Sequence, residues 1–150
     1  MTQRPQETTI TETGITALGA IALRLHPQQD LKRELDAFAQ RQQLSAACIL
    51  TCVGSLTQAR LRFANQTHPT VQTGHFEIVS LTGVMSIHGS HYHMAIADAA
   101  GCIRGGHVMA GCLIYTTAEI VVGVLPQLQF GRSLDPVSGY RELHIEPHPK

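Results

Sequence analysis

Two segments near the start of the chain have different hydrophobic periods. In residues 15–25, apolar and polar positions alternate towards the end of the segment, and this period of two predicts a strand with one face buried. Residues 31–42 instead carry apolar side chains at intervals of i, i+4 and i+7, beginning with Leu31 and Leu35, which predicts an amphipathic helix. Asp30 stands directly before this helix, where a carboxylate can cap free backbone N–H groups. The pattern thus predicts a strand followed by a helix.

The rest of the chain is a series of apolar segments of strand length, separated by polar or glycine-containing segments. Strands are predicted at residues 46–53, 56–63, 75–85, 90–97, 102–107, 114–125 and 140–145. Between them, the polar stretch 65–74 is predicted to be a loop, and 126–139 is expected to be irregular. Gly83 is expected to mark a bulge or a bend. One helix among many strands predicts a domain of mixed α and β structure.

The length of 150 residues suits a single domain with its own core. We place this domain at residues 15–145, with a flexible arm at 1–14 and a short tail at 146–150. The arm is polar and rich in threonine, and it lacks the charged and apolar regions of a signal peptide. No apolar run approaches the roughly 20 residues that a membrane span needs. The sequence therefore predicts a cytoplasmic protein without a membrane segment.

The charge composition bears on the partners. The chain has 11 Lys and Arg residues against 11 Asp and Glu residues, so its formal net charge at pH 7 is zero. Nucleic-acid binding draws much of its affinity from clustered cations, whereas the arginines here are scattered among acidic and apolar residues. Nucleic acid is therefore not an expected partner. A surface with few charges tends to associate, so we expect part of the apolar surface to be buried between subunits.

A turn between two predicted strands fixes how their histidines face each other. Residues 98–101 read Asp-Ala-Ala-Gly, which suits a type I turn closed by a glycine bulge. Counting back along both strands from this turn places His93 opposite His107. His91 lies two residues from His93 and so shares its face. All three imidazoles are therefore predicted to project from one side of the sheet at separations of about 5 to 7 Å.

Three imidazoles at these separations can meet at one metal ion. Each nitrogen would lie about 2.0 to 2.1 Å from zinc, and three histidines with one open position are a known catalytic zinc arrangement. Zinc is therefore the first candidate, and nickel, iron and copper stay open. The alternative is that the three are ordinary polar residues on a solvated strand face. Gly105 and Gly106 leave room for a bulge or for close approach by another chain, and His75 and His88 are reserve ligands.

A set of short motifs, in a fixed order along nearly the whole chain, resembles one protein family. The motifs are Ala22-Leu23-Arg24-Leu25, Asp30-Leu31, Val53-Gly54-Ser55-Leu56, Gly74-His75-Phe76-Glu77-Ile78-Val79-Ser80-Leu81-Thr82-Gly83, His91-Tyr92-His93, Gly105-Gly106-His107 and Gly111. Their combination resembles the PPC domain, the plant and prokaryote conserved domain, over roughly residues 15–145.

This resemblance implies a fold, an assembly and a site. The implied fold is α+β, with a mainly antiparallel sheet and one amphipathic helix packed on it, and the implied assembly is a homotrimer. His91, His93 and His107 correspond to the metal ligands of prokaryotic members. In plants the domain follows an AT-hook of the Arg-Gly-Arg-Pro type, and this motif does not occur here, so the DNA-binding part of the resemblance does not carry over.

Three functions follow from these observations. The first is a metal-binding, trimeric regulatory or assembly module, with a small molecule as a ligand at the metal. The second is a metal-dependent hydrolase or lyase that uses a metal-bound water. Glu77 is the catalytic candidate, because a carboxylate near such a water could act as a base, although a salt bridge or a cap would explain it equally. The third is a DNA-associated protein, which neutral charge and the missing hook disfavour.

Overall fold

The computed structural model describes residues 14–149, which form one helix and eight strands. The predicted N-terminal arm, residues 1–14, lies outside the described residues except for Gly14. The elements in chain order are β1 Gly19–Leu25, α1 Leu31–Arg41, β2 Ala47–Arg62, β3 Thr70–Ser86, β4 Gly89–Ala97, β5 Ile103–Val108, β6 Leu113–Val124, β7 Leu128–Leu134 and β8 Arg141–Pro147. The predicted α+β class with a mainly antiparallel sheet is confirmed.

The larger sheet has six antiparallel strands in the order β1-β6-β2-β3-β4-β5. Its last strand, β5, also pairs with β2, through Leu61 opposite Val108 and Arg62 opposite His107. Strands β2 to β5 therefore close into a ring, which brings the end of β2 beside the end of β5. Strands β7 and β8 form a separate two-stranded sheet.

The helix begins and packs as its sequence predicts. The Asp30 side chain accepts hydrogen bonds from the backbone N–H groups of Lys32 and Arg33 at 3.1 and 3.3 Å, which satisfies donors that no helical carbonyl can reach. Leu31, Leu35, Phe38 and Ala39 are buried, and they join one core cluster with the buried residues of the sheet. In the described part of the chain, no helix has the length and apolar character that a membrane crossing requires.

Asp30 also ties the helix to the sheet. Its second carboxylate oxygen accepts a hydrogen bond from the backbone N–H of Gly111 at 2.7 Å, just before β6. We expect Asp30→Ala to lower the free energy of unfolding by about 1 to 2 kcal/mol, because the cap is lost. Urea denaturation measures this, with Asp30→Asn and Glu34→Ala as controls that lose less. Wild-type stability of Asp30→Ala would contradict the capping role.

Several predicted boundaries differ from the structure. The two strands predicted at 46–53 and 56–63 are one continuous strand, β2, which passes through Gly54. Strand β3 begins at Thr70, so the loop predicted at 65–74 is shorter than expected. The prediction that 126–139 is irregular was wrong for Leu128–Leu134, which forms β7. Its partner β8 continues to Pro147, two residues beyond the predicted end.

Candidate metal site and adjoining groove

The β4–β5 hairpin has the predicted turn. The Asp98 backbone N–H donates to the Cys102 carbonyl at 3.1 Å, and the Gly101 N–H donates to the Asp98 carbonyl at 2.9 Å. The Asp98 carboxylate also accepts from the N–H groups of Ala100 and Cys102 at 2.9 and 3.0 Å. Gly101 has φ of 77°, which favours glycine. The turn therefore fixes the register of both strands.

This register brings the three histidines together. His93 pairs with His107, as predicted from the turn. The alternate residues Tyr92 and Met94 are buried in the core, so His91 and His93 lie on the other face of β4. The three residues offer ring nitrogens that all lie within 4.8 Å of one another. The predicted cluster of three imidazoles on one face is thus present.

The distances fit a common metal ion. The Nε2 atoms of His91 and His93 are 3.1 Å apart, close to the roughly 3.3 Å that separates two ligand nitrogens at a tetrahedral zinc. The ring centroid of His107 lies 4.8 Å from that of His91 and 5.5 Å from that of His93. Three nitrogens from two adjacent strands can therefore surround one ion and leave a fourth position open.

The electrostatics keep the imidazoles of His91 and His107 in the form that binds metal. Burial, the neighbouring His91 and the Arg62 guanidinium lower the pKa of His107 from 6.5 to about 4. The pKa of His91 is lowered as well, by burial first and then by the neighbouring His93 and Arg132. Both rings are therefore neutral at pH 7, and each keeps a nitrogen lone pair for a metal ion.

The Gly-Gly-His motif is explained by the closure of the sheet. A Cβ atom on Gly106 would lie 2.8 Å from the Arg62 carbonyl oxygen and 3.4 Å from a ring carbon of Phe63. A side chain at this position would therefore push β5 away from β2 and carry His107 with it. The close approach that was expected from another chain is made within this chain, by β2 at Gly106 and by β4 at Gly105, where a Cβ atom would lie 3.0 Å from the Met94 carbonyl oxygen.

The other predicted residues lie elsewhere in the described chain. Glu77 is exposed and pairs with Ala97, four residues along β4 from His93, which corresponds to roughly 13 Å. The ring of His75 packs against Tyr115 with centroids 4.3 Å apart. His88 is exposed and lines a neighbouring groove with β7 and β8 residues. The fold of one chain therefore gathers the three histidines without Glu77 or the reserve ligands.

A groove of about 760 Å³, which the sequence pattern did not predict, adjoins the histidines. His91 and His107 form part of its wall. The other lining residues are Arg62, Asn65, Gln66, Thr67, Met109, Arg132, Tyr140, Arg141 and Glu142. Four of these belong to the β7–β8 hairpin or to its turn. The turn signature Asp-Pro-Val-Ser-Gly at 135–139 was the available signal for this hairpin.

The helix holds the start of β4 near this site. The Ser90 hydroxyl donates to Asp36 Oδ1 at 2.6 Å, and the Lys32 ammonium contacts Asp36 Oδ2 at 2.6 Å. The Tyr92 hydroxyl also reaches Asp36 Oδ1 at 3.4 Å. Burial raises the pKa of the Tyr92 phenol, so it stays protonated and can donate. These contacts fix the strand on which His91 and His93 stand.

Comparisons with known proteins give this arrangement a family. The bifunctional protein GlmU of a Synechococcus strain is 48% identical over 144 residues, 96% of this chain but 22% of GlmU. The chain therefore spans about a fifth of the length of the curated relatives that it matches. A hypothetical protein from Salmonella enterica has a solved structure with 44% identity and a TM-score of 0.90, covering 92% of this chain and 100% of that one.

A more distant structure shares the fold. A protein from Archaeoglobus fulgidus, described as metal-containing, has a TM-score of 0.75 at 22% identity and covers 89% of this chain and 99% of its own. The profile of the Plants and Prokaryotes Conserved (PCC) domain, the PPC domain of the resemblance, matches residues 14–126. The predicted family is thereby confirmed. The chain belongs to the Plants and Prokaryotes Conserved domain family.

Proposed function

We propose that this chain is a metal-binding domain in which His91, His93 and His107 hold one divalent transition-metal ion. The observation that carries the proposal is the convergence of three imidazole nitrogens within 4.8 Å of one another on one face of the sheet. Zinc is the first candidate, because imidazole suits it and three histidines leave a fourth position open. The description of the Archaeoglobus relative as metal-containing agrees with the proposal.

The site also suits an enzyme, as a second candidate function. A metal bound there would supply a Lewis acid and a water of lowered pKa for a hydrolase or lyase. The groove of about 760 Å³ beside His91 and His107 favours this alternative, since it offers space for a substrate. Glu77 enters this alternative only if another subunit brings it to the metal. A regulatory or assembly module would use the same site for ligand binding alone.

Metal analysis of the purified wild-type protein tests the proposal. We expect about one ion per chain by mass spectrometry after expression in a medium that supplies zinc, nickel, iron and copper together. The ion that is retained identifies the preferred metal. A chain that stays folded but retains none of the four, and takes up none on reconstitution, would refute the proposal.

We also propose a homotrimer, as the family resemblance implies. Apolar side chains on β2, β3 and β6 alternate with buried ones and lie exposed, among them Val53, Val79 and Tyr115 at 57%, 51% and 43% exposure. Burying such side chains between subunits would remove them from water.

DNA association ranks last among the candidate functions, because the net charge is zero.

A homotrimer predicts both the mass of the wild-type assembly and the effect of an interface substitution on that mass. Light scattering at micromolar concentration is expected to give about three times the 16.3 kDa of one chain. Val53→Glu should shift the mass towards the monomer, because it would bury an unpaired charge in the interface. Arg41→Glu, at the exposed end of α1, should leave the mass unchanged. A monomer mass for the wild type would contradict the proposal.

A further inference from the structure

The groove beside the three histidines is lined by three arginines from different parts of the chain. Arg62 comes from the end of β2, Arg132 from β7 and Arg141 from β8. Arg62 and Arg132 are half-buried, and Arg141 is exposed. The fold thus collects on one concave surface cations that are scattered in the sequence.

These guanidinium groups have free donors. Within residues 14–149, the salt bridges involve Lys32, Arg33 and His144, and none of the three groove arginines. Arg141 donates one hydrogen bond to the Arg132 carbonyl at 3.1 Å, which uses a single one of its five N–H groups. The carboxylate of Glu142 also lines the groove and accepts from the Ser138 hydroxyl at 2.9 Å. Three cations against one carboxylate leave the groove positive.

We propose that this groove binds a small molecule through a carboxylate or phosphate group, held by Arg62, Arg132 and Arg141 next to the histidine cluster. Arginine presents a planar fork of donors that matches either oxyanion. The inference rests on the proposed metal function, because the same ligand would reach the open coordination position. It names the chemical class of that ligand, a small oxyanion.

Two of the three arginines lie beyond the segment that the family profile matches. The family profile ends at residue 126, whereas Arg132 and Arg141 belong to the hairpin formed by Leu128–Leu134 and Arg141–Pro147. This hairpin forms one side of the groove. Two of the three proposed oxyanion contacts therefore come from outside the matched segment.

A small ligand fits these observations better than a nucleic acid. A volume of about 760 Å³ lies in the range of small-molecule sites. Nucleic-acid binding needs an extended set of phosphate contacts, whereas these cations are confined to one concave groove on a chain of zero net charge. The groove therefore suits a single anionic group near the metal.

Titration of the zinc-loaded full chain with orthophosphate and with oxalate tests the inference and separates the two oxyanions. Calorimetry is expected to show saturable binding of at least one probe, weakened roughly tenfold in Arg132→Gln and in Arg141→Gln. The matched control is Arg41→Gln, which removes the same charge at the exposed end of α1 and should bind as the wild type does. Zinc content, measured for each protein, should stay unchanged.

Three outcomes would overturn the inference. The first is that neither probe binds saturably. The second is that Arg41→Gln loses as much affinity for the probe as the groove variants do. The third is tight binding of a short DNA duplex that both groove variants abolish and that the oxyanions do not compete with. Failure of the wild-type protein to bind zinc is a separate result, because it refutes the metal site and not the groove. In that case the metal-free protein is titrated with the same probes, and equal affinities of the groove variants and Arg41→Gln refute the groove.

Discussion

Replacing His107 by alanine is expected to abolish stoichiometric metal binding, and replacing His91 or His93 should have the same effect. Each ring supplies one of three nitrogens that lie within 4.8 Å of one another. The two remaining imidazoles hold an ion much less firmly, so the affinity should fall by roughly 100-fold or more, beyond the loss caused by removing an outer hydrogen-bond partner. Metal content after dialysis, together with competition against a chelator, measures the change.

His88→Ala provides the matched control for these variants. It removes an exposed imidazole three residues from His91 that lies outside the cluster, so its metal content should equal that of the wild type. Cobalt substitution adds a spectroscopic test, because a tetrahedral site with three nitrogen ligands gives intense visible bands that the His107→Ala protein should lack. The site is wrong if all three single variants remain folded and each keeps one ion per chain.

The histidine cluster could be predicted from sequence because its geometry depends on local structure. A three-residue loop after Asp98 fixes the pairing of β4 with β5, and the alternation of a strand then determines which face each residue takes. The distance between His93 and His107 needs no knowledge of the rest of the fold. For the same reason the amphipathic helix and its Asp30 cap were predicted correctly.

The groove could not be predicted because it depends on contacts between distant segments. Arg62 reaches the site only because β5 pairs with β2 and closes the ring of strands. Arg132 and Arg141 reach it because the β7–β8 hairpin lies beside β4 and β5 residues. The region of Arg132, 126–139, looked irregular because Leu128 and Phe130 give too short an alternation to indicate a strand, whereas Arg141 lies in the strand predicted at 140–145.

Gly83 shows a different reason why the sequence did not predict the local structure. A glycine inside a strand predicts either a bulge or a close backbone approach, and a bulge or a bend was the expectation. In the structure the register is regular there, with Gly83 opposite Tyr92, and the shift falls between Ile78 and Ser80. The glycine instead permits close contact, because a Cβ atom would lie 2.1 Å from the His91 carbonyl oxygen.

Gly83→Ala is therefore expected to destabilise the protein strongly and to disturb the metal site. Its φ of 149° disfavours a side chain, and the new Cβ would also lie 2.8 Å from Tyr92 Cα, so β3 and β4 must separate. We expect the free energy of unfolding of the metal-free protein to fall by about 3 kcal/mol or more, as strain and overpacking add. Metal affinity should fall too, since His91 and His93 flank Tyr92 on the displaced strand.

Gly89→Ala separates the steric effect from the backbone effect. Gly89 has φ of 130°, but the nearest atom to an added Cβ is the flexible Arg132 Cγ at 3.8 Å, an ordinary contact distance. This variant should lose only the backbone term, about 1 kcal/mol, and should keep its metal. Urea denaturation of both metal-free variants and the wild type gives the comparison. Equal losses of unfolding free energy in Gly83→Ala and Gly89→Ala would show that the close approach of β3 to β4 is not what requires glycine. Full metal content in a folded Gly83→Ala protein would show that the histidine cluster does not depend on this close approach.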